Sequence, residues 1–154
     1  MQRMLVRFLM VVIVASISAC AIAGPSHWTV AVFPSGASFR LELAEDDVAR
    51  ARGYMFRERV GPREGMLFLF DESAHHSFWM KNCKVALDII WLDEEFRVVE
   101  IAHDRQPCVD GAQCPSAVPM RAARNVLEVA AGTAAAEGLQ RGDRIVLLEE
   151  TAEK

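Results

Sequence analysis

Five arginines, Arg50, Arg52, Arg57, Arg59 and Arg63, fall between residues 50 and 63 with a single acid, Glu58, among them, in a chain whose formal net charge is −4. A guanidinium presents a planar fork of donors, so Arg52 or Arg57 pointing into a cleft beside Lys81 and Asn82 would suit a carboxylate, a phosphate or an anionic sugar. Trp79 beside them would offer a flat apolar face on which a sugar or ring could stack. Asp88 and Glu128 stand between apolar neighbours in strand-like runs, where an ionised carboxylate needs a paired or hydrogen-bonded partner. Pairing of an arginine with one of these acids inside the domain is the commoner outcome, ahead of ligand binding. The same two acids could instead be the general acid and the nucleophile or base of a small hydrolase, which needs a separation of about 5 to 9 Å that the sequence does not set. The ligand-binding candidates are therefore Arg52, Arg57, Trp79, Lys81, Asn82, Asp88 and Glu128, and no residue is assigned a catalytic step.

His75 and His76 lie close to Met80, and with Met55 and Met66 they raise a second possibility, a periplasmic site for cuprous copper built from thioethers and imidazole. Adjacent histidines in a turn face different ways, and Phe56, Phe68 and Phe78 around these methionines indicate packing, so core filling is preferred. No metal and no cofactor is expected. The chain has no His-Glu-x-x-His, no Gly-rich phosphate loop and no Gly-x-Ser-x-Gly. Cys108 and Cys114 sit in the irregular segment from Asp104 to Arg124, among Pro107, Gly111, Pro115 and Pro119. A disulfide between them would stiffen that loop and stabilise by roughly 2–2.5 kcal/mol. Their spacing does not match the Cys-x-x-Cys of redox pairs, so a structural bridge is favoured. Cys83 reads as a buried, unreactive thiol.

These residues must be carried by short strands. Trp28 to Phe33 and Phe39 to Leu43 flank Pro34-Ser35-Gly36, and Phe39, Leu41 and Leu43 alternate with Arg40 and Glu42, which predicts a hairpin. Asp46 can cap a helix to about Tyr54, with Val48, Ala51 and Met55 forming one apolar stripe. Gly65 to Phe70, Ser77 to Asn82, Leu87 to Asp93 and Arg97 to His103 have strand length, with turns at Asp71-Glu72-Ser73 and Asp93-Glu94-Glu95. Asn125 to Ala130 and Arg144 to Glu149 add two more strands, and between them Thr133 can cap an alanine-rich helical turn ending at Gly138. The expected fold is mainly β, a small antiparallel barrel or sandwich of about eight strands with two short helices.

The 154 residues leave room for one domain, and 52% hydrophobic with 25% charged residues excludes a disordered or collagen-like chain. Seventeen basic against 21 acidic side chains argue against nucleic acid as a partner. Part of the apolar excess is an address. Arg3 and Arg7 precede an uncharged run from Phe8 through Ala23, the pattern of an export signal. Ile17-Ser18-Ala19-Cys20 resembles a lipobox, which would lipidate Cys20 and anchor the protein to a membrane; cleavage after Ala21-Ile22-Ala23 is the alternative. The run is shorter than the roughly 20 apolar residues a bilayer span prefers. The organisation expected is an export signal over 1–19, a short linker over 20–27 and one domain over 28–150, in the periplasm or anchored in the cell envelope.

Arg52-Gly53-Tyr54-Met55-Phe56-Arg57, Gly65-Met66-Leu67-Phe68-Leu69-Phe70, Phe78-Trp79-Met80-Lys81-Asn82 and Ala86-Leu87-Asp88-Ile89-Ile90 resemble the signature of the family known as domain of unknown function 192. Val126-Leu127-Glu128 with Gly132, and the closing Gly142-Asp143, are similar to that family's C-terminal pattern, so the resemblance runs from about residue 28 to 149. Cys83 and Ala86 depart from the threonine and proline usual there. The resemblance implies a small β-rich, barrel-like domain, often exported in bacteria, and carries no established activity. The expectation is an exported envelope binding or accessory module for a small anionic or carbohydrate-like ligand. Its protein partner is unknown. The small envelope hydrolase using Asp88 and Glu128 and the periplasmic metal-binding protein are the alternatives.

Overall fold

The computed structural model describes residues 27–108 and 113–148. The expected export signal, its cleavage sites and Cys20 lie outside the described residues. Seven strands form one mixed sheet: β1 (Trp28–Val32), β2 (Ser38–Ala44), β3 (Glu64–Ala74), β4 (Leu87–Leu92), β5 (Val98–Arg105), β6 (Ala123–Ala130) and β7 (Val146–Leu148). Their spatial order is β5-β4-β6-β3-β2-β1-β7. The β2–β3 pair is parallel and the others are antiparallel. The parallel pair requires a crossover, which α1 (Asp47–Arg52) and the loop after it supply. The second helix, α2 (Thr133–Ala136), is a single turn after β6.

The two outer strands approach each other at one end. Val98 N donates to Asp143 O, Gly142 N to Val98 O and Ile145 N to Phe96 O, at 2.8 to 3.0 Å. The ladder is not closed, but the sheet curls into a barrel-like shape. Its inner face packs Phe33, Phe39, Leu41, Leu67, Ile90, Leu92, Leu127, Val129 and Ile145. The other face carries Met66, Phe68, Ile89, Trp91 and Val126, covered by Tyr54, Met80 and Cys83 from the connections. Every residue of β4 is therefore buried, and β3 and β6 are apolar on both sides over most of their length. This is why these strands read as continuous apolar runs rather than as alternation.

The mainly β architecture and the hairpin match expectation, and four local readings need correction. Ser77 to Asn82 is not a strand: its pairing is split into two isolated bridges of opposite sense, Phe78 to Ala117 and Lys81 to Cys108, and the positive φ of 57° at Asn82 turns the chain at its end. Asp71-Glu72-Ser73 is not a turn but the exposed end of β3, where the pairing with β6 is irregular between Leu69 and Ala74. The apolar stripe on α1 does not face the core; no residue of the helix is buried, and Val48 is 79% exposed. Arg50 ties the helix down instead, donating to Leu69 O at 2.8 Å and to Glu45 O at 2.6 Å, while Asp46 Oδ1 caps it by accepting from Ala49 N at 2.7 Å. Finally, Gly132, not Thr133, occupies the N-cap of α2, and it has no side chain to cap with.

Candidate functional site

Alternation along β4 and β6 sends the two candidate acids to opposite faces of the sheet. Asp88 lies on the inner face with Ile90 and Leu92, whereas Glu128 lies on the other, between Met66 and Ile89 in the cross-strand ladder. They cannot flank one scissile bond, so the two-carboxylate hydrolase arrangement is not what the fold builds. Asp88 is wholly buried and both oxygens are engaged: Oδ1 accepts from Asp104 N at 2.8 Å and Oδ2 from Ala134 N at 2.9 Å. It closes the irregular end of the β4–β5 pair and supplies the helix cap that Gly132 cannot.

Glu128 is 3% exposed, and its Oε2 has no hydrogen-bond partner among the described residues. Burial raises its carboxyl to a pKa of about 8, partly offset by the Arg57 guanidinium nearby. At neutral pH the group carries its proton. Above it, Gly53 leaves α1 at φ 46°, and a Cβ there would stand 3.3 Å from the Phe68 ring and 3.7 Å from Oε2. The absent side chain leaves room for a pocket of about 30 Å³ that opens to solvent. Glu128, Phe68, Phe78 and Cys83 line it, with Tyr54 beside them and Arg50, Arg52 and Trp79 toward the outside. Trp79 is 46% exposed and has Lys81 Nζ 5.0 Å from its ring centroid.

Of the seven predicted ligand residues, Arg52, Trp79 and Glu128 thus share one pocket, with Lys81 behind Trp79. Arg57 pairs neither with Asp88 nor with Glu128. Its Nη1 donates to Glu42 Oε2 at 2.6 Å and its guanidinium lies 5.0 Å from the Tyr54 ring centroid. That ion pair holds the Arg57 pKa above its ordinary value. Asn82 turns the chain: its N–H donates to Cys108 O, and its carbonyl accepts from Phe56 N, itself at φ 64°. Arg50, Gly53, Tyr54, Phe68, Phe78 and Cys83 escaped assignment to the site. Gly53 and Tyr54 adjoin Arg52 in the motif, so the conformational freedom of glycine was the available signal. Glu42 was legible only as the polar side of an alternating strand.

The metal reading finds no geometry. Met66 and Met80 are buried in the apolar layer, His75 Nδ1 bonds Pro119 O, and His76 stacks on Phe70 at 3.7 Å between centroids. No group of three His, Cys, Asp or Glu able to hold a metal occurs among the described residues. Burial, with the nearby Glu128 contributing, pushes the Cys83 thiol up to about 11, which keeps it un-ionised and a poor nucleophile. Cys108 and Cys114 form a disulfide. Cys108 also brackets the aromatic segment, donating its N–H to Met80 O and accepting from Asn82 N. No helix among the described residues is long and apolar enough to cross a membrane.

Two crystal structures resemble this chain closely. One, of a protein described as a candidate transcription regulator from Sinorhizobium meliloti, is 28% identical with a TM-score of 0.71, covering 79% of this chain and 95% of that one. The other, of a protein of unknown function from Novosphingobium aromaticivorans, is 32% identical with a TM-score of 0.69, covering 82% of this chain and 94% of that one. No curated protein matches significantly. A family model described as "Uncharacterized ACR" matches residues 30–147.

Proposed function

The chain belongs to the DUF192 family, and from this premise we propose that it is an envelope binding module that receives a small anionic or carbohydrate-like ligand in the pocket over Glu128. The observation that carries the reading is the unpartnered Glu128 Oε2. A buried polar atom left unbonded costs about 1–3 kcal/mol, a cost that a ligand atom seated in the pocket would remove. The flat face of Trp79 and the guanidinium of Arg52 at the same opening suit a ring bearing an anionic group. Export and a lipid anchor at Cys20 belong to the same reading, supported by Arg3, Arg7 and the apolar run that follows. A net charge of −4 gives no support for carrying the Sinorhizobium protein's description as a candidate transcription regulator over to this chain as nucleic-acid binding.

A thermal-shift screen against anionic sugars, peptidoglycan fragments, nucleotides and metals tests this. An anionic sugar or glycan fragment raises the melting midpoint of the wild type and not of Trp79→Ala. A screen in which no compound moves the midpoint refutes the module.

A further inference from the structure

Resting on that reading of the pocket, we propose that its ligand is a carboxylate: one carboxylate oxygen accepts a hydrogen bond from the Glu128 carboxyl at the floor while the other faces the guanidinium of Arg52 at the rim. The floor group is a carboxyl, 3% exposed, with an oxygen left without a protein partner. The charged neighbours favour a negative guest. Arg57 lies close enough to act on Glu128, and Arg50 and Arg52 line the pocket. Arg50 is committed to Asp47 at 2.7 Å and to two backbone carbonyls, whereas Arg52 has neither an ion pair nor a hydrogen bond through its side chain among the described residues. The remaining titratable groups facing Glu128 are the Tyr54 hydroxyl and the Cys83 thiol, both held un-ionised by burial, and Glu42, which is paired with Arg57.

Shape selects within the anions: a carboxylate is a planar two-oxygen group that can offer one oxygen to the Glu128 carboxyl and the other to Arg52 in a pocket edged by Phe68 and Phe78. An ammonium guest would meet the arginines and would need Glu128 ionised. A neutral hydroxyl could satisfy the floor in either protonation state but would leave Arg52 unused. The three guests therefore differ in how their binding depends on pH. A carboxylate needs the proton on Glu128, and its affinity falls tenfold per pH unit above about 8.

Titrating the full-length protein with D-glucuronate, D-glucose and ethanolamine separates them. Glucuronate at pH 6.5 is expected to bind at least tenfold more tightly than glucose and to weaken tenfold per unit above pH 8. Glu128→Gln keeps a donor at the floor, so it binds glucuronate without that pH dependence. Arg52→Ala, on an exposed helix position that leaves the fold intact, weakens glucuronate about tenfold and retains the pH dependence. Glucose binding equal to glucuronate, or ethanolamine binding that strengthens with pH, overturns the carboxylate assignment and leaves the pocket as a ligand site. Failure of glucuronate to bind overturns the carboxylate assignment, and a compound screen in which nothing moves the midpoint overturns the pocket as a ligand site as well.

Discussion

Asp88 and Glu128 occupy neighbouring strands, each within one position of the other in the β4–β6 ladder, yet their surroundings give them unlike roles. Asp88 is matched on both oxygens by backbone N–H groups, that of Ala134 buried and that of Asp104 partly buried. Replacing it with alanine strands the buried Ala134 N–H and removes the Asp104 bond, so Asp88→Ala is expected to lower stability by about 2–4 kcal/mol, read as a shift of the urea midpoint. Glu128 is the reverse case, a carboxyl whose folded pKa of about 8 lies above its ordinary 4.5. Below pH 4.5 both the folded and unfolded forms are protonated. From 4.5 to 8 the unfolded chain releases a proton that the folded one keeps, so stability falls across that window and levels off above it. Glu128→Gln removes this dependence and is expected to be the more stable protein at pH 8, by on the order of a few kcal/mol. Urea midpoints of both proteins from pH 4 to 9 check it; parallel curves would show that Glu128 is ionised when folded.

At the scale of elements, α1 serves the site more by how it ends than by the residues along it. Gly53→Ala puts a side chain where φ is 46° and where its Cβ meets Phe68 at 3.3 Å. A loss of about 1–2 kcal/mol of stability, read as a lower melting midpoint, and a blocked pocket are expected. The disulfide acts on the aromatic segment through Cys108, which is hydrogen-bonded to Met80 and Asn82. Removing it, in a Cys108→Ala, Cys114→Ala double variant, is expected to cost roughly 2–2.5 kcal/mol. Amide exchange should accelerate first at Phe78, Asn82 and Cys108, the groups that join the loop to the aromatic segment. Legibility followed the physics of each element. The hairpin of β1 and β2 was readable because alternation and a Pro-Ser-Gly turn agree. The segment from Ser77 to Asn82 was not, because its apolar residues pack as a loop and its backbone bonds go to residues 108 and 117, far away in sequence. For α1 a correct Asp46 cap accompanied an incorrect apolar stripe, since the docking group is a polar one, Arg50.

For the whole molecule, the curl of the sheet depends on the few hydrogen bonds joining the start of β5 to the approach to β7. Ile145, 1% exposed, packs beneath them. Ile145→Ala is expected to cost about 2–5 kcal/mol and to raise exchange in β7 and β1 before the central strands; uniform acceleration across all strands would contradict that order. The family motifs were legible as motifs, and Tyr54, Met66, Phe68, Met80 and Ile89 from four of them meet on the covered face of the sheet, while Leu67, Ile90 and Leu127 point to the interior. What no motif revealed was which face each acid takes, since that depends on the register of β4 against β6. That register makes β6 a partition between two rooms. Val126 and Glu128 belong to one room, and Leu127 and Val129 to the other. A guest that shifts Glu128 and its strand is expected to reach the barrel interior too, so changes in the methyl signals of Leu127 and Val129 on adding it would report an event on the far side of the wall.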